Sequence, residues 1–390
     1  MKQGWTYKKL GEVASSELGK TLNKSKDTGK LYPYICAVNV LWDMIDLTIL
    51  KHAFFEKEEI DRYSVRKGDL LVCEGGDTGR SAIWEKEEPV LYQNALHRVR
   101  FTTEMEARFA MYCLWHLKNN GQIDQKYSKG VTIKHLVKSS LLSIELPVPS
   151  LSTQLSIVSE LDKINELIRL KKEQLKDYDN LAQSIFYEMF GDPVENEKGW
   201  EVKKLIETVV LECTISYGIV QPGDGVEDGI PVVRPIDLTG TFVSTNNLKK
   251  TTEKISSSYS RTILTGKELL VCVRGTTGVC SLVTDELKGC NVTRGITPLL
   301  FNDNTDRWFM YYQFQMPQIK CIIADYTKGI TLKQINMADF RKIPVILPPL
   351  SLQQLFAQRI KLIEQQKAEI QSTMADLETL LASRMQYWFD

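Results

Sequence analysis

The sequence predicts an α+β chain of two tandem mixed α/β domains, each followed by a long helix, with the two helices pairing as an antiparallel coiled coil about a pseudo-twofold axis. Three observations carry this. The stretch YSKGVTIK at 127–134 returns as YTKGITLK at 326–333, five of eight residues identical, at an offset of 199. Short β-like runs fill the first 150 residues of each copy. After a proline-rich stop the apolar period then changes to seven.

The repeat extends beyond one motif. KGDLLVCEGGDTG (67–79) aligns with GKELLVCVRGTTG (266–278) at the same offset, and PVPSLSTQ (147–154) matches ILPPLSLQ (346–353). GWTYKKL (4–10) matches GWEVKKL (199–205) at 195, so about four residues enter the second copy early. The expected segments are a first domain over 1–150, a helix over 151–191, a linker over 192–198, a second domain over 199–349 and a second helix over 350–390. In the first domain YPYICAV, DLLVC, SAIW, LHRVRF and SIELPV read as strands, because their β-branched and aromatic residues are bounded by Gly, Asp, Asn and Pro. One helix interrupts each domain, ARFAMYCLWHLKNN (107–120) and DRWFMYYQFQM (306–316), and their aromatics should pack inward.

The heptads start after Pro147/Pro149 and after Pro348/Pro349. The first seam is Ile157, Leu161, Ile164, Ile168, Lys171, Leu175, Tyr178, Ala182, Ile185 and Met189. The second is Phe356, Ile360, Ile363, Lys367, Ile370, Met374, Leu377, Leu381, Arg384 and Trp388. Steps alternating between four and three over about five repeats are those of a coiled coil, and residues 153–190 would span about 57 Å. Gly191 and Pro193 stop the first helix. Each seam holds one mid-helix lysine, Lys171 or Lys367, with two readings: it fixes register inside the seam, or its stem carries the charge out to water.

Composition narrows the function. With 43% hydrophobic and 25% charged residues, no apolar leader and no run of 18 apolar residues, the expectation is a cytoplasmic, soluble chain without a membrane span. Eight cysteines form no C-x-x-C pair and four histidines are not spaced as ligands, so no structural metal is expected and most of the thiols should be reduced core residues. Formal charge is zero, 49 basic against 49 acidic, which is not the bulk pattern of a nucleic-acid binder. Its distribution says more: residues 1–150 carry +3 and 199–349 carry +2, against −4 over 151–198 and −1 over 350–390.

ASSELGKT (14–21) satisfies a loose phosphate-loop pattern, but that chemistry needs a helix whose N-terminal amides hold the phosphates. LNKSKDTGKLYPY follows instead, so the stretch reads as a basic surface loop with Lys20, Lys24 and Lys26. EGGDTG (74–79) and VRGTTG (273–278) each follow LLVC and can serve as hairpin turns, as donors of backbone N–H and hydroxyl groups to DNA, or as both. In YSKGVTIK and YTKGITLK, Lys129 and Lys328 stand at an exposed turn suited to phosphate, while Val131/Ile133 and Ile330/Leu332 should pack and the motif also serves as fold glue. The candidate DNA contacts are Lys20, Lys24, Thr78, Arg80 and Lys129 in the first domain and Arg234, Arg274, Thr276, Thr277, Arg294 and Lys328 in the second. No methyltransferase tetrapeptide, cofactor loop, nuclease carboxylate pattern or nucleophile elbow is found, so a binding scaffold without cofactor or metal fits better than an enzyme.

GW-x-x-KKL opening each copy, P-P/S-L-S-x-Q opening each heptad helix, and the tandem order itself together resemble the specificity subunit of type I restriction-modification systems over the whole chain. The resemblance implies two target recognition domains, each reading one half of a split asymmetric sequence in double-stranded DNA, with the helices acting as a ruler for the unread spacer. It further implies two adenine methyltransferase subunits and, in a full complex, nuclease/translocase subunits, for which the acidic helices offer docking surfaces. The first copy starts almost at Met1, without the N-terminal helical segment of some members, which speaks against a circularly permuted variant. Two other readings stay open at this point: a coiled-coil scaffold that binds proteins, and a nucleotide hydrolase built on ASSELGKT.

Overall fold

The strand-forming residues of GWTYKKL and of the proline-flanked SIELPV run close each domain on itself. Thr6–Lys9 pairs antiparallel with Glu145–Val148, and Glu201–Lys204 pairs in the same way with Pro344–Leu347. A computed structural model describes residues 4–23, 28–130, 134–329 and 333–390. Contacts divide the chain into two units, Met1–Lys172 with Ser372–Asp390, and Glu173–Gln371. Each long helix, Leu151–Phe190 and Leu350–Phe389, therefore gives one part to each unit.

Within the first unit an antiparallel sheet runs in the order Ala14–Leu18, Leu96–Phe101, Leu70–Cys73, Ser81–Ile83. A mixed sheet beside it sets Val90–Tyr92 parallel to Lys30–Ile35. The second unit repeats the plan: Leu269–Cys272 lies between Cys280–Leu282 and Ile296–Leu299, and Asn291–Val292 runs parallel to Ile230–Val233. Both LLVC strands are buried along their whole length, which explains why they carry no polar alternation. Cys36, Cys73, Cys113, Cys272, Cys280 and Cys290 are buried free thiols, and burial pushes Cys280 up to about 12.

The expected interrupting helices are Ala107–Asn119 and Arg307–Gln315, with Phe109 and Phe309 fully buried. Pro317 then opens a further helix, Pro317–Tyr326, that the sequence reading did not anticipate; proline cannot continue a helix but suits its first turn. One buried glutamine joins each interrupting helix to a long helix. Gln154 Oε1 accepts the N–H of Glu106 at 2.8 Å, while its Nε2 donates to Glu104 O at 2.8 Å and Pro149 O at 2.9 Å. Gln353 makes the same three bonds, to Asp306 N, Asn304 O and Pro348 O. The final Q of the P-x-L-S-x-Q motif is thus an amide clamp.

The long helices pair antiparallel. Within the second unit Asp179 holds Lys367 at 2.8 Å and Phe186 packs on Phe356, so numbers fall on one helix as they rise on the other; within the first, Glu160 holds Arg384 and Trp388. Ile157, Leu161, Ile164, Ile168 and Leu381 are buried in the first unit, and Phe356, Ile360, Ile363 and Ile370 in the second. Lys171, Leu175, Tyr178, Met374 and Leu377 are half-buried.

At the end of the first helix the sequence seam needs correction: Ile185 and Met189 are half-buried, and the buried stripe is Ala182, Phe186 and Phe190. A straight helix drifts about 20° per heptad, so over four heptads the stripe moves by nearly one residue. The edge-to-face contacts of Phe186 and Phe190 with Phe356, 5.6 and 5.4 Å between ring centroids, and the contact of each with Phe309 fix the drifted position. Of the two readings of Lys367, the structure selects the inward one. Its side chain is 13% exposed, and its ammonium meets Asp179 and Glu364, the latter also taking the Tyr312 hydroxyl at 2.8 Å.

In the first unit, Arg108 gathers three carboxylates, Asp43, Glu85 and Asp162, each at 2.9 Å. Asp43, 17% exposed, is pushed up to about 6, first by burial and then by Asp162 and Glu85, against the pull of Arg108. A carboxyl raised in the folded state destabilises the protein above pH 6, and this penalty fades as pH falls toward its unfolded value.

Two predictions follow from these contacts. Gln154→Leu or Gln353→Leu should lower stability by about 2–3 kcal/mol in urea denaturation, because buried backbone groups lose their partner; a loss within error would remove the clamp from the account. Asp43→Asn keeps an acceptor for Arg108 and suits the left-handed backbone at this position, φ 56°. It should stabilise by about 1–3 kcal/mol at pH 7.5, with the gain vanishing between pH 6 and 4 in melting curves.

Candidate nucleic-acid interface

Each unit brings several turns to one edge, and backbone hydrogen bonds lock them together. In the first unit Gly19 lies so close to the chain at Gln93 that a Cβ would fall 2.4 Å from its carbonyl carbon. Lys20 N bonds Tyr92 O at 3.1 Å and Asn94 N bonds Lys20 O at 3.0 Å. The turn after LLVC is joined on both sides, by Glu74 N to Ala95 O at 2.9 Å and by Leu136 N to Glu74 O at 2.7 Å. Lys129 and His135 exchange both backbone bonds at 2.8 Å, an antiparallel bridge between the two ends of the repeated motif. His97 lies beneath, its Nε2 2.7 Å from Leu136 O, and burial holds its pKa below the usual value.

The second unit uses the same joints. A Cβ on Gly218 would fall 2.2 Å from Val292 O. Ile219 N bonds Val292 O at 2.8 Å, Arg294 N bonds Ile219 O at 2.7 Å, and Val273 N bonds Gly295 O at 2.8 Å. Ile335 N bonds Val273 O at 2.9 Å and Gly275 N bonds Lys333 O at 2.8 Å. Gly295 also packs on Pro235, where a Cβ would come 2.7 Å from the ring. The loops of Arg234, Arg274 and Arg294, far apart in sequence, therefore meet at one place.

This geometry sorts the predicted contacts. Lys20 is corrected: it is 5% exposed, with its ammonium 2.6 Å from Glu59, 2.9 Å from Phe54 O and 5.0 Å from the Phe55 ring centre. ASSELGKT is thus a strand, Ala14–Leu18, and a glycine chosen for close backbone approach, and among the described residues no helix directly follows to receive a phosphate. Thr78 is corrected as well. It is 1% exposed, its hydroxyl donating to Asp124 at 2.9 Å and accepting from Ser128 at 3.1 Å.

Two arginines also turn inward. Arg80 donates to Ala37 O at 2.8 Å, and Arg234 is held by both oxygens of Asp237. Thr277 is tied to Thr327, hydroxyl to hydroxyl at 3.0 Å. Lys129, Thr276 and Lys328 are exposed. Lys24, together with Lys26, Val131, Ile133, Ile330 and Leu332, lies outside the described residues.

Arg274 and Arg294 stand apart. Both are half-buried, and among the described residues neither guanidinium is given a carboxylate partner or a hydrogen bond. Arg294 sits 6.0 Å from the ring centre of Tyr217, whose hydroxyl donates to Ile335 O at 2.9 Å and accepts from Gln334 Nε2 at 3.0 Å. Sequence reasoning missed Gln93, Asn94, Tyr217 and Gln334. An offset of 200 aligns Gln93-Asn94-Ala95-Leu96 with Thr293-Arg294-Gly295-Ile296, but without one identical residue, so the repeat carries no signal for the first pair.

A doubled α+β module with a polar edge of locked turns, and two arginines there without a carboxylate among the described residues, is a geometry suited to reading nucleic acid. The family model for the type I restriction modification DNA specificity domain matches residues 2–177 and again 198–376, and the chain belongs to that family. It is similar to the type I restriction enzyme EcoBI specificity subunit of Escherichia coli, 24% identical over 77% of this chain and 67% of that protein. It is also similar to the MjaIX specificity subunit of Methanocaldococcus jannaschii, 25% identical over 90% and 85% of the two chains. A crystal structure of the S subunit of a type I system from M. genitalium shares the fold, with a TM-score of 0.54 at 16% identity over 99% of this chain and 96% of that one.

Gly218→Ala should destabilise the second unit by about 1–3 kcal/mol, since the clash is with backbone that cannot rotate away. Denaturant titration checks it; a neutral outcome would mean the turns are not rigidly joined at this point.

Proposed function

We propose that this chain reads a bipartite, asymmetric site in double-stranded DNA, one half per unit, and so directs adenine methylation and restriction by its partner subunits. The family function is sequence recognition within a type I restriction-modification complex, and the chain itself is not the catalyst. The observation that carries the finer reading is the doubled edge: equal backbone joints present Gln93-Asn94 in one unit and Thr293-Arg294 in the other. Equal scaffolds with unlike side chains are what two unlike half-sites require.

Specificity subunits of this family assemble with methylase and restriction subunits. The proposed complement is two methyltransferase subunits, with nuclease/translocase subunits joining them, in the cytoplasm. Half-exposed leucines on the first long helix, Leu155, Leu167, Leu170 and Leu181, offer apolar anchors for such partners. No helix among the described residues is long and apolar enough to cross a membrane.

The proposed phosphate contacts are Lys129 and Lys328, with Thr276 and Arg274 beside the second turn. Lys129→Ala and Lys328→Ala, in the chain assembled with its methyltransferase subunits, should weaken binding to all duplexes alike. Each should lower the slope of log affinity against log salt by about 1. Unchanged affinity and slope in both variants, measured by fluorescence anisotropy, would remove this edge as the DNA face.

A further inference from the structure

Resting on the reading just proposed, we infer that one backbone position, occupied by Asn94 in the first unit and Arg294 in the second, sets the base each unit demands. Adenine is taken through the amide pair Gln93 and Asn94, and guanine through Arg294.

The backbone makes the two positions equivalent. The N–H of Asn94 bonds Lys20 O at 3.0 Å, and that of Arg294 bonds Ile219 O at 2.7 Å. The next residue is held from the opposite side, Ala95 O by Glu74 N at 2.9 Å and Gly295 O by Val273 N at 2.8 Å. One further joint recurs, Leu96 N to Gln93 O at 3.0 Å and Ile296 N to Thr293 O at 2.9 Å. A residue gripped on both sides cannot shift its backbone to suit a sequence, so the side chain alone can differ between units. It does differ, in charge as well as in shape.

Arg294 has the properties of a guanine reader. Its guanidinium has no carboxylate or hydrogen-bond acceptor among the described residues, whereas neighbouring Arg234 is held by Asp237. The centre of the Tyr217 ring, whose hydroxyl is tied to Ile335 O and Gln334, lies 6.0 Å from the guanidinium. A fork of donors without an acceptor among the described residues matches the O6 and N7 acceptors of guanine.

In the first unit, Gln93 Nε2 donates to Asn94 Oδ1 at 3.3 Å, and Asn94 Nδ2 donates to Thr21 Oγ1 at 3.2 Å. That leaves one N–H and a lone pair on the Asn94 amide, the donor and acceptor that adenine N7 and N6 require. A phosphate contact shared by both units would call for a cation in both. The first unit has a neutral amide there instead, which favours base reading over backbone binding.

The test is selection from a randomised duplex library by the full chain assembled with its methyltransferase subunits, comparing the parent with Arg294→Gln, Arg294→Lys and Asn94→Arg. Expected are loss of a guanine at one position of one half-site in both Arg294 variants and an about 10- to 100-fold weaker grip on the parental duplex. Asn94→Arg should change one position in the other half-site only. Because Arg294 has no carboxylate or hydrogen-bond partner for its guanidinium among the described residues, the Arg294 variants should melt close to the parent, and Arg294→Lys keeps the charge if Arg294→Gln does not fold. Parental selection by both Arg294 variants, or equal weakening on every sequence, overturns the assignment and leaves Arg294 a phosphate contact or a bystander. A parent complex that selects no sequence would instead overturn the proposed function on which the assignment rests.

Discussion

The amide clamp at the start of each long helix is the constraint on which the rest depends. Gln154 and Gln353 are fully buried, and each satisfies two carbonyls and one N–H. Every joint is short and internal, so the helix cannot pivot about its proline hinge without stranding polar groups away from water. A long helix that leaves a domain at a fixed angle can then bury its apolar seam against its neighbour. Glu160 with Arg384 and Asp179 with Lys367 add charged contacts beside that seam.

The same logic of short internal joints governs the polar edge. Glycines at 19 and 218 are there because carbonyl groups of the neighbouring chain occupy the space a side chain would need. Turns stitched by backbone bonds leave their side chains as the only variable, which lets one scaffold be used twice with different chemistry. Most polar groups along it are used internally, as at Thr78, Arg80 and Arg234. Arg274 and Arg294 stand out against that background because no carboxylate among the described residues pairs with them.

Much of this architecture was legible in the sequence for a physical reason: strands and heptads announce themselves by local period, and a repeat doubles the signal. GW-x-x-KKL and the proline-flanked strand recur because they pair with each other, and LLVC recurs because it is the buried centre of a sheet. Individual contacts were less legible. Lys20 looks like a surface cation until tertiary folding sets Glu59 and the Phe55 ring against it. Phe186 and Phe190 replace Ile185 and Met189 because the difference between 3.5 and 3.6 residues per turn accumulates along a helix. Gln93 and Asn94 were missed because this segment carries no identity between the copies, and a reader of unlike half-sites has no cause to repeat itself there.

The central claim is that this chain selects the DNA sequence on which its partners act. The most direct measurement is a genome-wide map of adenine methylation in the native host, with and without this gene. The account predicts loss of methylation at one split motif, two short halves with a fixed gap, and at no other. An unchanged map in cells that express the protein alongside its partner subunits would contradict it.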